Sequence, residues 1–371
     1  MLEVLFHAWE RRLAAATTDR VVRPFDWGLD WIPQNGHAPN LDPRLRVSEW
    51  VDEVMADTDA FFTPEPTTHY IRQSESTGDV VLFPSALRTP HPENNTVRCG
   101  YFRGRAPSRR SRSRAAVIVL PQWNADAGGH VGLCRLLAWN GLSALRLSLP
   151  YHDSRMPREL NRADYIVSSN IARTVQVCRQ AVLDARRAAA WLAGEGYERI
   201  GILGTSLGSC LALLTTAHEP LIRAAALNHI SPVFADVVWR GLSTQHVRDG
   251  LDGHIDLNRL RELWRPISPK YYLDRLRDRQ TLLVYALYDL TFPVDLSREL
   301  VESFRREAIP HEVAVLRCGH YSTGRAPFKF VDGWILTQFL RRALSAESNP
   351  HVPAPNESLR GTSEFRPAPD K

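Results

Sequence analysis

Three residues of this chain have the types needed for nucleophilic catalysis at an acyl carbon, and they lie far apart in sequence. Ser206 sits in Gly204-Thr205-Ser206-Leu207-Gly208, where a short apolar run gives way to an alanine- and leucine-rich stretch. A serine hydroxyl is a weak nucleophile until a base takes its proton, and the base needs a partner to orient it. Asp289 follows the apolar run "TLLVYALY", and His320 follows "HEVAVLRCG". Each has an ordinary reading alone: a small-residue turn, a helix-capping aspartate, a structural histidine. Serine, carboxylate and imidazole in that chain order, each just past an apolar run, read instead as a triad. Asp295 is the second-choice acid, and His229, His311 and His152 are weaker bases by position.

The elements that must position these residues follow from hydrophobic period. "HYIRQSE", "DVVLFPSAL" and "TVRCGYFRG" predict short strands separated by turn residues. "AAVIVLP", "LSALRLSLP", "RIGILGT", "IRAAALNHIS", "TLLVYALYD" and "HEVAVLRCG" predict further strands. Helical patterns alternate with these six: "HVGLCRLLAWNG", about Asp164 to Ala193, a helix after Ser206, "LSRELVESFRREA", and Phe328 to Ala343. Continuous apolar strands alternating with amphipathic helices mean an α/β fold, a mostly parallel sheet covered by helices on both faces. Ser206, Asp289 and His320 then fall together at the carboxyl-terminal edge, where open α/β sheets place their sites.

With GTSLG, YDLTFP and CGHYSTG in that register, the chain from about His69 to Ala343 resembles the α/β-hydrolase superfamily. "LPQWNA", "LPYHDSRMP" and "GTSLGS" resemble a little-characterised branch of alpha/beta-hydrolase-domain proteins. The resemblance implies an α/β-hydrolase fold with a helical cap insertion, here about 232–280. It also implies a nucleophile elbow at Ser206 and an oxyanion hole from two backbone N–H groups. One is that of Leu207; by position the other is that of Trp123, although this loop reads Pro121-Gln122 where the superfamily commonly carries His-Gly. The implied activity is serine hydrolysis of a carboxylic ester, esterase- or lipase-like, through an acyl-enzyme. A peptidase or acyltransferase would use the same residues, and a non-catalytic binding protein of the same fold would show a broken triad.

Four further residues are candidates for holding a small acyl substrate. "YHDSRMP" follows a strand, so His152 and Arg155 either bind a polar head group or brace a loop, the latter through an Asp153–Arg155 pair. In the insertion, at least one of Trp239 and Trp264 is expected to line the substrate path.

Composition narrows the partners. The net charge of +5 is modest and its positive side chains are nearly all arginine, spread along the chain, which argues against nucleic acid. The dense patch Arg103 to Arg114 reads as a solvated loop. Five cysteines without CxxC spacing indicate neither a disulfide framework nor a metal site, and no Walker or dinucleotide motif calls for a cofactor. The first residues lack a signal-peptide pattern and no apolar run reaches spanning length, so a cytoplasmic location is expected. Residues 1–68 read as an extension, with a helix near Val47 to Phe62. Its leading helix carries Leu2, Leu5, Phe6, Trp9 and Leu13 on one face. Docking on the protein body or on a second subunit is the expected use of that face, and peripheral membrane contact the alternative. The domain proper is 69–344, and 345–371 is expected to be disordered.

Overall fold

A computed structural model describes residues 2–33, 42–76, 78–105 and 114–345. The basic stretch 106–113 and the tail from 346 lie outside the described residues. Nine strands form one sheet: β1 (Ile71–Glu75), β2 (Gly78–Pro84), β3 (Thr96–Phe102), β4 (Ala115–Leu120), β5 (Ser143–Leu147), β6 (Arg199–Thr205), β7 (Ile222–Asn228), β8 (Gln280–Ala286) and β9 (Glu312–Leu316). Their spatial order is β1-β2-β3-β5-β4-β6-β7-β8-β9. The pairs β1–β2, β2–β3 and β3–β5 are antiparallel, and every later pair is parallel. β4 is buried at every position, as a strand covered on both faces must be.

The helices begin with α1 (Leu2–Ala15), α2 (Pro43–Ala56) and α3 (Thr58–Phe61). Next come α4 (Val131–Trp139), α5 (Ile171–Gly194) and α6 (Leu207–His218). Between β7 and β8 lie α7 (Phe234–Arg240), α8 (Gln245–Leu251), α9 (Leu257–Leu263) and a 3-10 segment, Pro269–Leu276. The series ends with α10 (Val294–Arg306), α11 (His320–Thr323) and α12 (Phe328–Ala343). One core, containing α5, α6 and the β7–β8 helices, fills one face of the sheet; a smaller one, under α4 and α12, fills the other.

Two helix boundaries differ from the sequence expectation, each for a local reason. The long helix starts at Ile171 rather than Asp164, because Asn170 caps it by accepting from the Arg173 N–H at 3.0 Å. The preceding residues are held as a loop by Asp164 on Arg23 and by Asp26 on the Asn170 amide. Near Val47 the single expected helix is two. Asp57 leaves helical geometry, and its carboxylate caps α3 by accepting from the Ala60 N–H at 2.9 Å.

Pairing levels the sheet edge that matters. Thr205 sits opposite Asn228, Asn228 opposite Val284, and Ala286 opposite Leu316. Ser206, His229, Asp289 and His320 therefore leave adjacent strands at the same carboxyl-terminal edge.

Candidate active site

Ser206 occupies the turn between β6 and α6 with φ 58° and ψ −120°, a conformation that costs a non-glycine residue on the order of 1–3 kcal/mol. Neighbours hold it there. Its N–H donates to the Asn228 carbonyl at 2.8 Å, and the Ser209 hydroxyl donates to the carbonyls of Ser206 (2.6 Å) and His229 (2.8 Å). The flanking glycines are steric necessities. A Cβ on Gly204 would lie 2.0 Å from the Gly208 carbonyl oxygen, and one on Gly208 would lie 2.2 Å from that of Leu120. The second contact also presses the turn against the Leu120–Pro121 backbone, just ahead of Trp123. Leu207, the first residue of α6, has one of the N–H groups that lack an intrahelical partner.

Asp289 receives two imidazoles, one more than the sequence reading supplied. Its Oδ2 is 3.0 Å from His320 Nδ1 and 2.8 Å from His229 Nδ1. Its Oδ1 accepts from the backbone N–H groups of Thr291 (2.8 Å) and Phe292 (2.7 Å). Burial alone would raise the Asp289 pKa; the two histidines outweigh it and hold the carboxyl well below the usual range. Burial alone would lower that of His320, but the Asp289 carboxylate, with a smaller push from Glu10, raises it above 6.5. His320 stacks on Phe292 with planes 4° apart, and its side chain is 14% exposed. The His229 side chain is 2% exposed, and its Nε2 is buried. The three side chains place donor atoms within 4.8 Å of one another, with types a metal also accepts, but both Nδ1 atoms are already bonded to Asp289. Asp295, the second-choice acid, is exposed and faces Arg240.

Beside this cluster, the loop after β4 is set by His152. That ring is buried, with Nδ1 2.9 Å from the Pro150 carbonyl and Nε2 accepting from the Asn124 N–H at 2.9 Å. The two bonds fix its tautomer, and burial holds its pKa down to about 4. His152 thus pins the residue after Trp123, whose indole donates to the Ala163 carbonyl at 2.9 Å.

Arg155 does not reach the site. It is wholly buried, paired with Asp184 at 2.9 Å and donating to the carbonyls of Asn94 and Ser148. The loop brace runs to Asp184, while Asp153 pairs with Arg146. A guanidinium so fully paired inside the protein has nothing to offer a head group. Trp264 is also corrected. It is fully buried, packs edge-on against Phe234 of α7 and donates to the Ile171 carbonyl at the start of α5, so its indole is spent on packing. Trp239, at the end of α7, is partly buried under Arg248. Just after it, the Leu242 N–H donates to the Leu290 carbonyl at 2.8 Å, so α7 ends beside the Asp289 loop.

Sequence reasoning named His229 only as a weaker base, not as a second partner of Asp289, and missed Glu10. A histidine ending the strand beside Ser206 was a usable signal for the first. The second offered none, since a glutamate in an amphipathic helix reads as solvated.

A mostly parallel nine-stranded sheet, helices on both faces and a strained serine turn at the carboxyl edge define the α/β-hydrolase fold. Solved structures agree. An acylaminoacyl peptidase from Pyrococcus horikoshii superposes with TM-score 0.57 and 15% identity, covering 77% of this chain and 43% of that one. Acetyl xylan esterase 1 from Thermoanaerobacterium sp. JW/SL YS485 gives 0.56 and 14%, covering 90% and 98%. Acetyl xylan esterase from Paenibacillus sp. R4 gives 0.56 and 14%, covering 83% and 97%. The chain thus spans less than half of the peptidase. No protein-family model and no curated protein sequence matches it.

Proposed function

We propose that this protein is a serine hydrolase that cleaves a carboxylic ester through an acyl-enzyme. The observation that carries the reading is the backbone of Ser206, held at φ 58° on the same sheet edge as the Asp289–His320 pair. Strain of that kind persists only where the surroundings impose it, and it gathers at functional sites. Ser206 attacks the acyl carbon while His320 Nε2 takes its proton; His320 then returns that proton to the departing alcohol. Asp289 fixes the Nδ1–H tautomer and stabilises the imidazolium. The N–H groups of Leu207 and Trp123 receive the oxyanion. Water then repeats the sequence on the acyl-enzyme.

Of the two imidazoles on Asp289, His320 is the better base because it is the more exposed. His229 is enclosed and acts as a second donor that keeps Asp289 ionised and fixed. The acyl group is placed against Trp239, beside the acid loop. Two of the structural neighbours matched over nearly their whole length are acetyl xylan esterases, which favours an ester. The likeness to a peptidase keeps an amide as the second reading. A fluorophosphonate probe is expected to label the protein once, at Ser206, and Ser206→Ala is expected to lose both labelling and turnover of p-nitrophenyl esters. A Ser206→Ala variant with near-wild-type rates would sink the reading.

A further inference from the structure

α1 reaches across the molecule to the histidine turn. Glu10 is completely buried, and each of its carboxylate oxygens accepts one backbone N–H of α11. Oε2 takes that of Tyr321 at 2.8 Å and Oε1 that of Ser322 at 2.9 Å. These are the two residues after His320. The fit leaves no room to spare: a Cβ on Gly319 would lie 2.3 Å from the Glu10 carboxyl carbon. One turn earlier in the helix, Phe6 stacks on Tyr288 at 4.6 Å, next to Asp289. The same turn is tied again through the Tyr321 hydroxyl, which meets Arg20 at 2.8 Å and Ser243 at 2.7 Å. The N-terminal helix therefore grips the acid loop and the base turn together.

We propose that Glu10 is a positioning residue for the reaction, holding His320 in register with Asp289 through the backbone of α11. The proposal rests on His320 being the base. Buried carboxylates are expensive unless bonded, and both oxygens of this one accept backbone N–H groups in the first turn of α11 that have no intrahelical partner. Its negative charge adds to that of Asp289 in raising the His320 pKa. The other titratable and charged groups around His320 are His229, at 4.6 Å between ring centroids, its neighbour Tyr321, and Cys318 below. His7 borders Tyr288, Arg20 reaches Tyr321, and Asp332 lies beneath on α12. None of these bonds the His320 turn backbone as Glu10 does.

Glu10→Gln keeps size and one acceptor but removes the charge and turns a donor toward an N–H. For p-nitrophenyl acetate, kcat is expected to fall by roughly tenfold with little change in KM, as for a small misplacement of the base. The acid limb of kcat/KM is expected to move to lower pH, because less negative charge faces the imidazole. The His320 ring proton resonance, assigned by its loss in His320→Gln, is expected to titrate lower in parallel. Gly319→Ala, which pushes the Glu10 carboxylate away while leaving the sequence of α1 unchanged, is expected to move both readouts the same way and covers the case in which Glu10→Gln does not fold. Unchanged kcat, or an unchanged His320 titration, in a folded Glu10→Gln variant overturns the proposal. Full activity in His320→Ala would instead overturn the assignment of the base, and with it the ground on which Glu10 was chosen.

Discussion

At the scale of single residues, the carboxylate of Asp289 is the most heavily bonded group of the site, and its four partners set what substitution does. Asp289→Asn keeps the two backbone donors but presents an amide where two imidazoles need an acceptor. It is expected to lower kcat by on the order of 10³–10⁴, the effect of a wrong tautomer on the base. Asp295→Asn, exposed and paired only with Arg240, is expected to leave kcat nearly unchanged in the same assay. The opposite ranking would move the acid. Under subsaturating substrate, kcat/KM is expected to rise with pH as His320 loses its proton. Its folded pKa lies above the ordinary 6.5, so the inflection belongs above 6.5 rather than below it. A profile flat from pH 5 to 8, with chemistry shown to be limiting, would remove histidine as the base.

At the scale of elements, the two tryptophans of the β7–β8 helices separate packing from recognition. Trp264→Ala opens a cavity between α9, α5 and Phe234, and is expected to cost about 3–5 kcal/mol in a denaturation experiment. Trp239→Ala is expected to melt close to wild type and to change the ratio of rates on butyrate and acetate esters. An unchanged ratio would leave Trp239 as packing too. The same comparison shows what was legible beforehand. Apolar runs such as Ala115 to Leu120 announced their strands, and GTSLG announced its turn, because those patterns are local. The start of α5 at Ile171 was not announced, since Asp26, distant in sequence, pins the loop ahead of it. Nor was the displacement of Trp264, because an apolar helix face does not say which of two surfaces it covers. Arg155 misled for a similar reason. Its partner Asp184 lies in the middle of a helix, and no spacing rule connects the two.

At the scale of the whole molecule, burying polar groups under the site carries a measurable penalty. Asp332, on α12, donates nothing and accepts from the Asn228 amide at 2.9 Å, leaving Oδ1 buried without a partner. Burial raises its pKa from 3.8 to about 6, against the opposing pull of His229 and the Asn228 bond. Because the folded pKa exceeds the unfolded one, the folded state loses stability as pH climbs between those values. The loss approaches about 3 kcal/mol above pH 6, at about 1.4 kcal/mol per unit. Asp332→Asn is therefore expected to raise Tm relative to wild type more at pH 7.5 than at pH 4. An equal difference at both pH values would mean that Asp332 is ionised at no cost.

The bond from Glu10 to Tyr321 joins residues 311 positions apart. During synthesis α1 leaves the ribosome well before α11, as a fourteen-residue segment too short to be a stable helix in water by itself. At ~5–20 residues per second, it waits on the order of 15–60 s before the strand and turn that receive it have been made. Throughout that interval Phe6 and Trp9 have no docking surface, and the segment is a target for chaperones or proteases. The Asp289–His320 pair is thus braced from both sides only in molecules whose α1 has survived to meet α11.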